Sequence, residues 1–384
     1  MIHSIVPPYL LEKIAQTDDG RMVRAARSAR RALLARDSVL DARATAGAES
    51  AHTGAGSKAP HGGSPSVAAT LGRRDAAASP ESTAEAGAVA ATPTPSRTIF
   101  DAHNTEQLPG TRVRTEGSAA PSDVTVTEAY DGLGATFELY EKAFGRNSID
   151  AKGLPLLATV HYGEDYDNAY WDGQRMVFGD GDGEIFGRFT ASVSVIGHEL
   201  SHGVTQFTAG LEYQGQSGAL NESYSDVMGA LVEQFQKKQS AGEASWLIGE
   251  GLFTAVVQGK ALRSMISPGT AYDDNMLGKD PQPADMAHYV DTTDDNGGVH
   301  LNSGIPNRAF ALATIEIGGF AWETAGQVWY DTITGPLASD VDFTTFARAT
   351  VAAATARFGS GSAETKAVRA GWLKVGVLED GAAG

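Results

Sequence analysis

The chain contains no cysteine. Disulfides, thiolate zinc sites and any latency device built on a thiol are excluded, while the redox compartment stays open. No run approaches the ~18 consecutive apolar residues that a membrane-spanning helix requires. Positive charge is also short. Lys and Arg number 30 against 47 Asp and Glu, a net charge of −17, which argues against nucleic acid as a partner because such proteins carry a basic face. The first twenty residues, MIHSIVPPYLLEKIAQTDDG, lack the basic start and the small-residue cleavage site of a secretory signal, and Pro7 and Pro8 break their short apolar run. We therefore expect synthesis in the cytoplasm, with any export by a non-classical route, no membrane partner, and a monomer.

What is present is 384 residues with 42% hydrophobic content, enough for two packed lobes. Residues 1–43 read as a small structured leader. Tyr9, Leu10, Leu11 and Ile14 share one helical face, and a second helix after Asp19 is expected to turn Val23, Leu33 and Leu34 inward and its arginines outward. Residues 1–50 hold eight basic and six acidic side chains, so 51–384 carry −19 of the total of −17, and charge can draw the leader to the body. Residues 44–97 are Ala, Gly, Ser, Thr and Pro with almost nothing large and apolar, which reads as a disordered linker because burial cannot offset its ordering entropy. From Thr98 the composition becomes globular. A helix is expected over 126–145, strands over 154–162 and 174–179 with AYWDGQ as the turn between them, and helices over 192–210 and 218–238. After a loop-rich stretch (239–297) four more helical patterns run to about Leu378. The stretch from Thr98 on thus divides into a β-rich N-terminal lobe (98–210) and a helical C-terminal lobe (211–384), an α+β arrangement.

Within 195–207, VIGHELSHGVTQF, His198 and His202 stand four apart in an apolar setting. On a helix four residues advance 400°, so the two imidazoles project from one face about 6 Å apart along the axis. Either this is a core accident or it is a metal site. Zinc accepts neutral imidazole nitrogens and, when catalytic, keeps an open position for water. Glu199 is offset from the ligand face and suits that water instead, which is the physical content of the His-Glu-x-x-His pattern. Glu222 in NESYSD can reach the same ion from the next helix, with glycines at 210, 215 and 218 turning the chain back. Asp226, one turn on, is placed to accept the free N–H of His198, and Asn221 that of His202. The competing reading of these residues is an exposed acidic helix face.

HELSHGVTQFTAGLEYQGQSGALNESYSD (198–226) resembles the thermolysin-like zinc metallopeptidases throughout, and DNAYWDGQRMVFGDGDG (167–183), LRSMISP (262–268) and DNGGVHLNSGIPNRAF (295–310) resemble them in the same order. SIVPPYLLEKIA (4–15) is similar to the short pro-segment of the protealysin-like branch, although 44–97 makes a longer linker than that branch usually has. The resemblance implies the two-lobed thermolysin-like fold with the zinc helix between the lobes, and a neutral endopeptidase made as a self-processing proenzyme whose leader acts as an intramolecular inhibitor or chaperone. It implies one catalytic Zn2+ on His198, His202 and Glu222, Glu199 as general base, and His300 with Tyr213 as oxyanion donors, His300 oriented by Asp295. Substrate would lie antiparallel along Asn168, Ala169 and Trp171, with Arg263 on the carbonyl beyond the cleaved bond. Phe186, Phe189, Val195, Ile248, Leu252 and Leu262 would line the pocket after that bond, so cleavage is expected before large hydrophobic residues. For calcium the pattern is depleted. Glu233 and Glu250 match the family's acidic cluster, but Ser194, Ser245 and Leu247 stand where carboxylates are expected, and Lys260 replaces an acid in a second calcium loop; Ca2+ prefers six to eight oxygens and several charges. Two other classes compete: a non-catalytic binding module on this fold, which would not need Glu199, His300 or Asp295, and a zinc aminopeptidase, which would need a site for a free substrate amine.

Overall fold

The structure is a computed structural model that describes residues 3–20, 22–34 and 92–379. The expected linker falls outside these residues except for 92–97, so its reading is not addressed.

The N-terminal lobe is built on a six-stranded mixed sheet. Its strands are β1 (His3–Ser4), β2 (Arg97–Asp101), β3 (Thr111–Thr115), β4 (Leu156–Val160), β5 (Ala169–Trp171) and β6 (Met176–Phe178), in the order β1-β5-β6-β4-β2-β3. The β2–β4 and β4–β6 pairs are parallel and the others antiparallel. One expectation fails here: Ala169, Tyr170 and Trp171 are not turn but strand. All three are buried and pair with β6, and the turn begins only at Asp172, whose carboxylate accepts the N–H groups of Gln174 and Arg175. The Asp172–Gly173 pair marks the turn itself, while the apolar residues before it belong to the strand.

The leader contributes β1, the helix α1 (Pro8–Ala15) and a second helix, α2, over 23–34. Pro8 opens α1 at the one position where a missing N–H costs nothing, and Leu10, Leu11 and Ile14 are buried as expected. In α2 the expected face holds only at Leu33, which packs partly buried against the core. Val23 and Leu34 are 53% and 69% exposed, whereas Met22, Ala25, Ala29 and Ala32 are buried. A stripe of alanines lets α2 lie close against the body, with Leu33 packed at the edge of the contact and Val23 and Leu34 outside it.

Helix α3 (Val124–Phe144) covers the sheet; Asp123 caps its start by accepting from Thr125 and Val126, and Gly145 ends it in the left-handed conformation at φ +63°. Helix α4 (Val193–Gln206) follows and is buried along nearly its whole length, as a helix shared by two lobes must be. The second lobe is helical: α5 (Gly215–Lys237), α6 (Asp295–Asn302), α7 (Gly304–Ile317), α8 (Ala325–Thr334), α9 (Phe343–Phe358) and α10 (Ala363–Lys374). The four patterns expected after 297 are thus five helices, with α6 and α7 separated only by Ser303. No described helix is long and apolar enough to cross a membrane.

Two glycines set the distance on which the site depends. A Cβ on Gly229 of α5 would lie 2.4 Å from the Ser194 carbonyl oxygen of α4, and one on Gly197 would meet Gly229 Cα at 3.1 Å. Only residues without side chains allow this contact, so α4 and α5 run backbone to backbone beside His198 and over the turn before it.

Candidate metal centre

Helix α4 presents His198 and His202 on one face, their Nε2 atoms 3.1 Å apart. From α5, Glu222 brings Oε2 to 3.4 Å of His198 Nε2 and Oε1 to 3.5 Å of His202 Nε2. All three side chains are buried. The opposite ring nitrogens are already committed: His198 Nδ1 lies 2.7 Å from Asp226 Oδ1, and His202 Nδ1 2.9 Å from Asn221 Oδ1 and 3.1 Å from Ser225 Oγ. With the Nδ1 protons held by those acceptors, both Nε2 atoms turn lone pairs toward each other and toward a carboxylate. Glu222 Oε2 and Glu199 Oε1 are moreover buried without a hydrogen-bond partner. Lone pairs facing lone pairs in a dry site are unfavourable unless a cation lies among them. Two imidazoles and one carboxylate at this spacing suit zinc.

Around this cluster lies a second set of buried polar groups. Asp226 accepts from Arg263 Nε and Nη2, both at 2.8 Å, and from Asn307 Nδ2 at 2.8 Å, besides His198. Burial alone would raise the Asp226 carboxyl, but Arg263 and His198 outweigh it and hold the group down at about 2. Glu199 lies one residue off the histidine face and accepts the Trp171 N–H at 3.0 Å. Burial pushes its carboxyl well above the ordinary value, partly opposed by His198, which is the direction a proton acceptor working near neutrality requires.

His300 arrives through an unusual turn. Asp295, Asn296, Gly297 and Gly298 all have positive φ, from +51° to +80°, a conformation that costs energy at the two residues that are not glycine. The turn folds the Asp295 carboxylate back onto His300, where it accepts both the backbone N–H (2.8 Å) and Nδ1 (2.6 Å). Burial lowers the imidazole, but Asp295 and Glu222 outweigh it and shift His300 above its ordinary pKa; its Nε2 faces the carbonyl oxygen of Ser4, an acceptor. Tyr213 OH is 3.2 Å from that nitrogen and donates to Glu222 Oε1. The expected ligands, base, oxyanion donors and orienting carboxylates therefore all converge on one buried locus.

The strand edge expected to receive substrate is filled by the leader. Ile5 N donates to Ala169 O (3.1 Å), Val6 N donates to Asn168 Oδ1 (3.0 Å), and Asn168 Nδ2 donates to Val6 O (3.3 Å). Arg263 Nη1 donates to Ile5 O at 3.0 Å, and His300 Nε2 lies 3.1 Å from Ser4 O. Phe186, Phe189, Val195, Ile248, Leu252 and Leu262 are all buried, with Ile248 paired to Arg263 across a two-residue ladder. At the expected calcium cluster, Glu233 and Glu250 line one surface cavity of about 380 Å³ together with Glu128 and Lys237. There Lys237 Nζ sits on Glu233, Ser245 Oγ donates to Glu250 at 3.0 Å, and Ser194 Oγ accepts Gly249 N–H at 3.2 Å. Asn307 and Ser225 had been given no role, although both lie inside the motif stretches. Ser225 stands next to Asp226 and one helical turn from Glu222, and that spacing was its available signal; Asn307 reaches Asp226 from 81 positions away, and no local spacing marked it.

Comparison with known proteins places these residues in context. Residues 83–206 match the family model for the catalytic domain of thermolysin metallopeptidases, and residues 209–377 match that for the alpha-helical domain. An extracellular metalloprotease of Pectobacterium carotovorum subsp. carotovorum is 55% identical over 282 residues, 73% of this chain and 81% of that protein. Protease PrtS of Photorhabdus sp. is 52% identical over 284 residues, covering 73% and 76%. Among solved structures, the precursor of protealysin, a metalloproteinase from Serratia proteamaculans, superposes with a TM-score of 0.79 at 48% identity, over 98% of this chain and 100% of that one.

Proposed function

The chain belongs to the thermolysin metallopeptidase family, in its protealysin-like branch, and from its standing as a zinc endopeptidase made as a proenzyme we propose how its residues divide the work. His198, His202 and Glu222 hold the zinc, which when bound polarises the scissile carbonyl and acidifies a water. Asp226 and Asn221 hold the two imidazoles in the tautomer that offers Nε2. Glu199 takes the proton of the attacking water and passes it to the leaving nitrogen. His300, oriented by Asp295, and Tyr213 stabilise the developing oxyanion; loss of one such donor typically costs ~10²–10³ in rate. Asn168, Ala169 and Trp171 align the polypeptide as an added strand, and Arg263 holds the carbonyl after the cut. The apolar wall from Phe186 to Leu262 favours large hydrophobic residues there.

The leader is the intramolecular inhibitor of this cleft. The observation that carries the reading is the pattern of hydrogen bonds from Asn168, Ala169, Arg263 and His300 to backbone atoms of Ser4, Ile5 and Val6, the groups assigned to substrate. Calcium is not part of the proposal, because Lys237 supplies the cation beside Glu233. The test is cleavage of an end-blocked peptide with one internal Phe or Leu by zinc-loaded protein freed of its leader. Native protein should cut before the apolar residue, and Glu199→Ala should keep its zinc and lose cleavage. A zinc-loaded, leader-free protein inert on such peptides and on casein would refute the assignment and favour a binding role.

A further inference from the structure

The leader does more than cover the cleft: its direction and register can be read atom by atom. A peptide chain can lie on a strand edge in either direction and in any register, and each choice presents different backbone atoms. Here β1 pairs antiparallel with β5, His3 opposite Trp171 and Ser4 opposite Tyr170. The two groups that should bracket a reacting bond then fall on successive residues. His300, the proposed oxyanion donor, is 3.1 Å from the carbonyl oxygen of Ser4. Arg263, proposed to hold the next carbonyl, is 3.0 Å from that of Ile5. Between them the Ile5 N–H, the leaving nitrogen in this register, is fixed by Ala169 O at 3.1 Å. One residue further on, Asn168 grips both polar atoms of the Val6 backbone. Ile5 and Val6 are fully buried apolar side chains on the leaving side, which is the side where the site is proposed to want them.

We infer that the Ser4–Ile5 peptide bond is a substrate of the chain's own active site, cut in place within the docked leader. The inference rests on the function proposed above and adds a bond that this function must attack. The carbon–nitrogen bond between Ser4 and Ile5 breaks as water oxygen joins the Ser4 carbonyl carbon. Glu199 accepts one proton of the water and returns it to the Ile5 nitrogen, and the water's second proton, left on the new Ser4 carboxylic acid, then passes to that amine, so the products are a carboxylate on Ser4 and an ammonium on Ile5. The segment before Ile5 is held in the described residues by little beyond β1 and can leave. The remainder stays seated, because the contacts of Ile5 O and Val6 and the buried face of α1 survive the cut. This cleavage therefore shortens the leader without activating the enzyme, and maturation requires a second, separate event.

The experiment uses the full chain. Zinc-loaded native protein and Glu199→Ala are followed by intact-mass spectrometry at two concentrations tenfold apart, and hydrogen exchange of the Ile5 and Val6 amides is read in Glu199→Ala, where the bond stays whole. Expected are protection of both amides in the inert chain, a native chain whose first residue becomes Ile5, and a rate independent of concentration. Ile5→Asp should slow the cut by about tenfold or more, since the buried pocket then receives a charge. Native protein that cleaves an added blocked peptide yet leaves Ser4–Ile5 whole would overturn the inference while the function stands. Cleavage at another bond within residues 1–8 would overturn the register, and unprotected Ile5 and Val6 amides would do the same without any turnover being measured. A chain that cleaves neither itself nor the peptide would overturn both.

Discussion

Asp226→Asn is the substitution from which most follows. The two oxygens of Asp226 accept four hydrogen bonds: Oδ1 from His198 and one arm of Arg263, Oδ2 from the other arm and from Asn307. An asparagine has the same shape, but whichever way its amide turns, its NH2 faces two N–H donors. Arg263, only 1% exposed, also loses its counter-charge. Removing one member of a buried ion pair costs about 3–5 kcal/mol. For a folded unit of this size that lowers the unfolding midpoint by roughly 6–20 °C, at about 2–4 °C per kcal/mol. The metal should suffer separately, because His198 is no longer held by a carboxylate; loss of such a partner weakens metal binding about 10–100-fold. Leader docking should loosen too, since the same Arg263 holds Ile5 O. The assay is zinc competition against a chromogenic chelator, beside urea unfolding of the metal-free chain. Asn307→Ala serves as control, because it removes one neutral donor and should cost only about 1 kcal/mol. If Asp226→Asn bound zinc within threefold of native and unfolded at the same urea concentration, the proposed anchoring of the centre by Asp226 would be refuted.

His161 bridges Asp180 (2.8 Å) and Asp123, the cap of α3 (2.9 Å), and the Asp180 bond, opposed by partial burial and aided by Asp123, raises it to about 9. A raised cation stabilises the fold fully below its ordinary pKa of about 6.5 and loses that contribution as pH rises through about 9. Discounted for a ring 20% exposed, about 1–2 kcal/mol should disappear across that window, and His161→Gln should flatten the stability–pH curve there. In the leader, Arg24–Asp165 and Arg31–Glu164 are exposed pairs of the kind worth ~0–1 kcal/mol each. Neutralising both arginines should speed leader release only a few-fold, whereas Leu10→Asp, at a fully buried position, should release it outright; equal effects in a protease-protection assay would contradict this. Calcium-selective chelation should leave the melting temperature within 2 °C or so of the untreated value, because protein groups already satisfy Glu233 and Glu250; a large drop would show a calcium site that Lys237 does not replace.

Much of the centre is written in local spacing. His198, Glu199 and His202 lie on one helix and Glu222 and Asp226 on another, so a periodicity of 3.6 residues sets which side chains share a face before any packing is known. Gly145 marked the end of α3 in the same way, since an αL glycine acts on its own turn, whereas the Asp123 cap starts the helix two residues before the expected position. The leader's first helix was legible for that reason as well. Tertiary contact decided the rest. Whether Ala169–Trp171 is turn or strand depends on β1 and β6 lying beside it. Which face of α2 is inside depends on the surface it meets, and that surface prefers alanines to Val23 and Leu34. The convergence of Arg263 and Asn307 on Asp226 joins residues 37 and 81 positions away, and the register of Ser4 and Ile5 against His300 and Arg263 spans 296 and 258. Helical period reaches one or two turns along the chain; contacts across hundreds of residues exist only once the glycine-spaced helices and the sheet have closed around them.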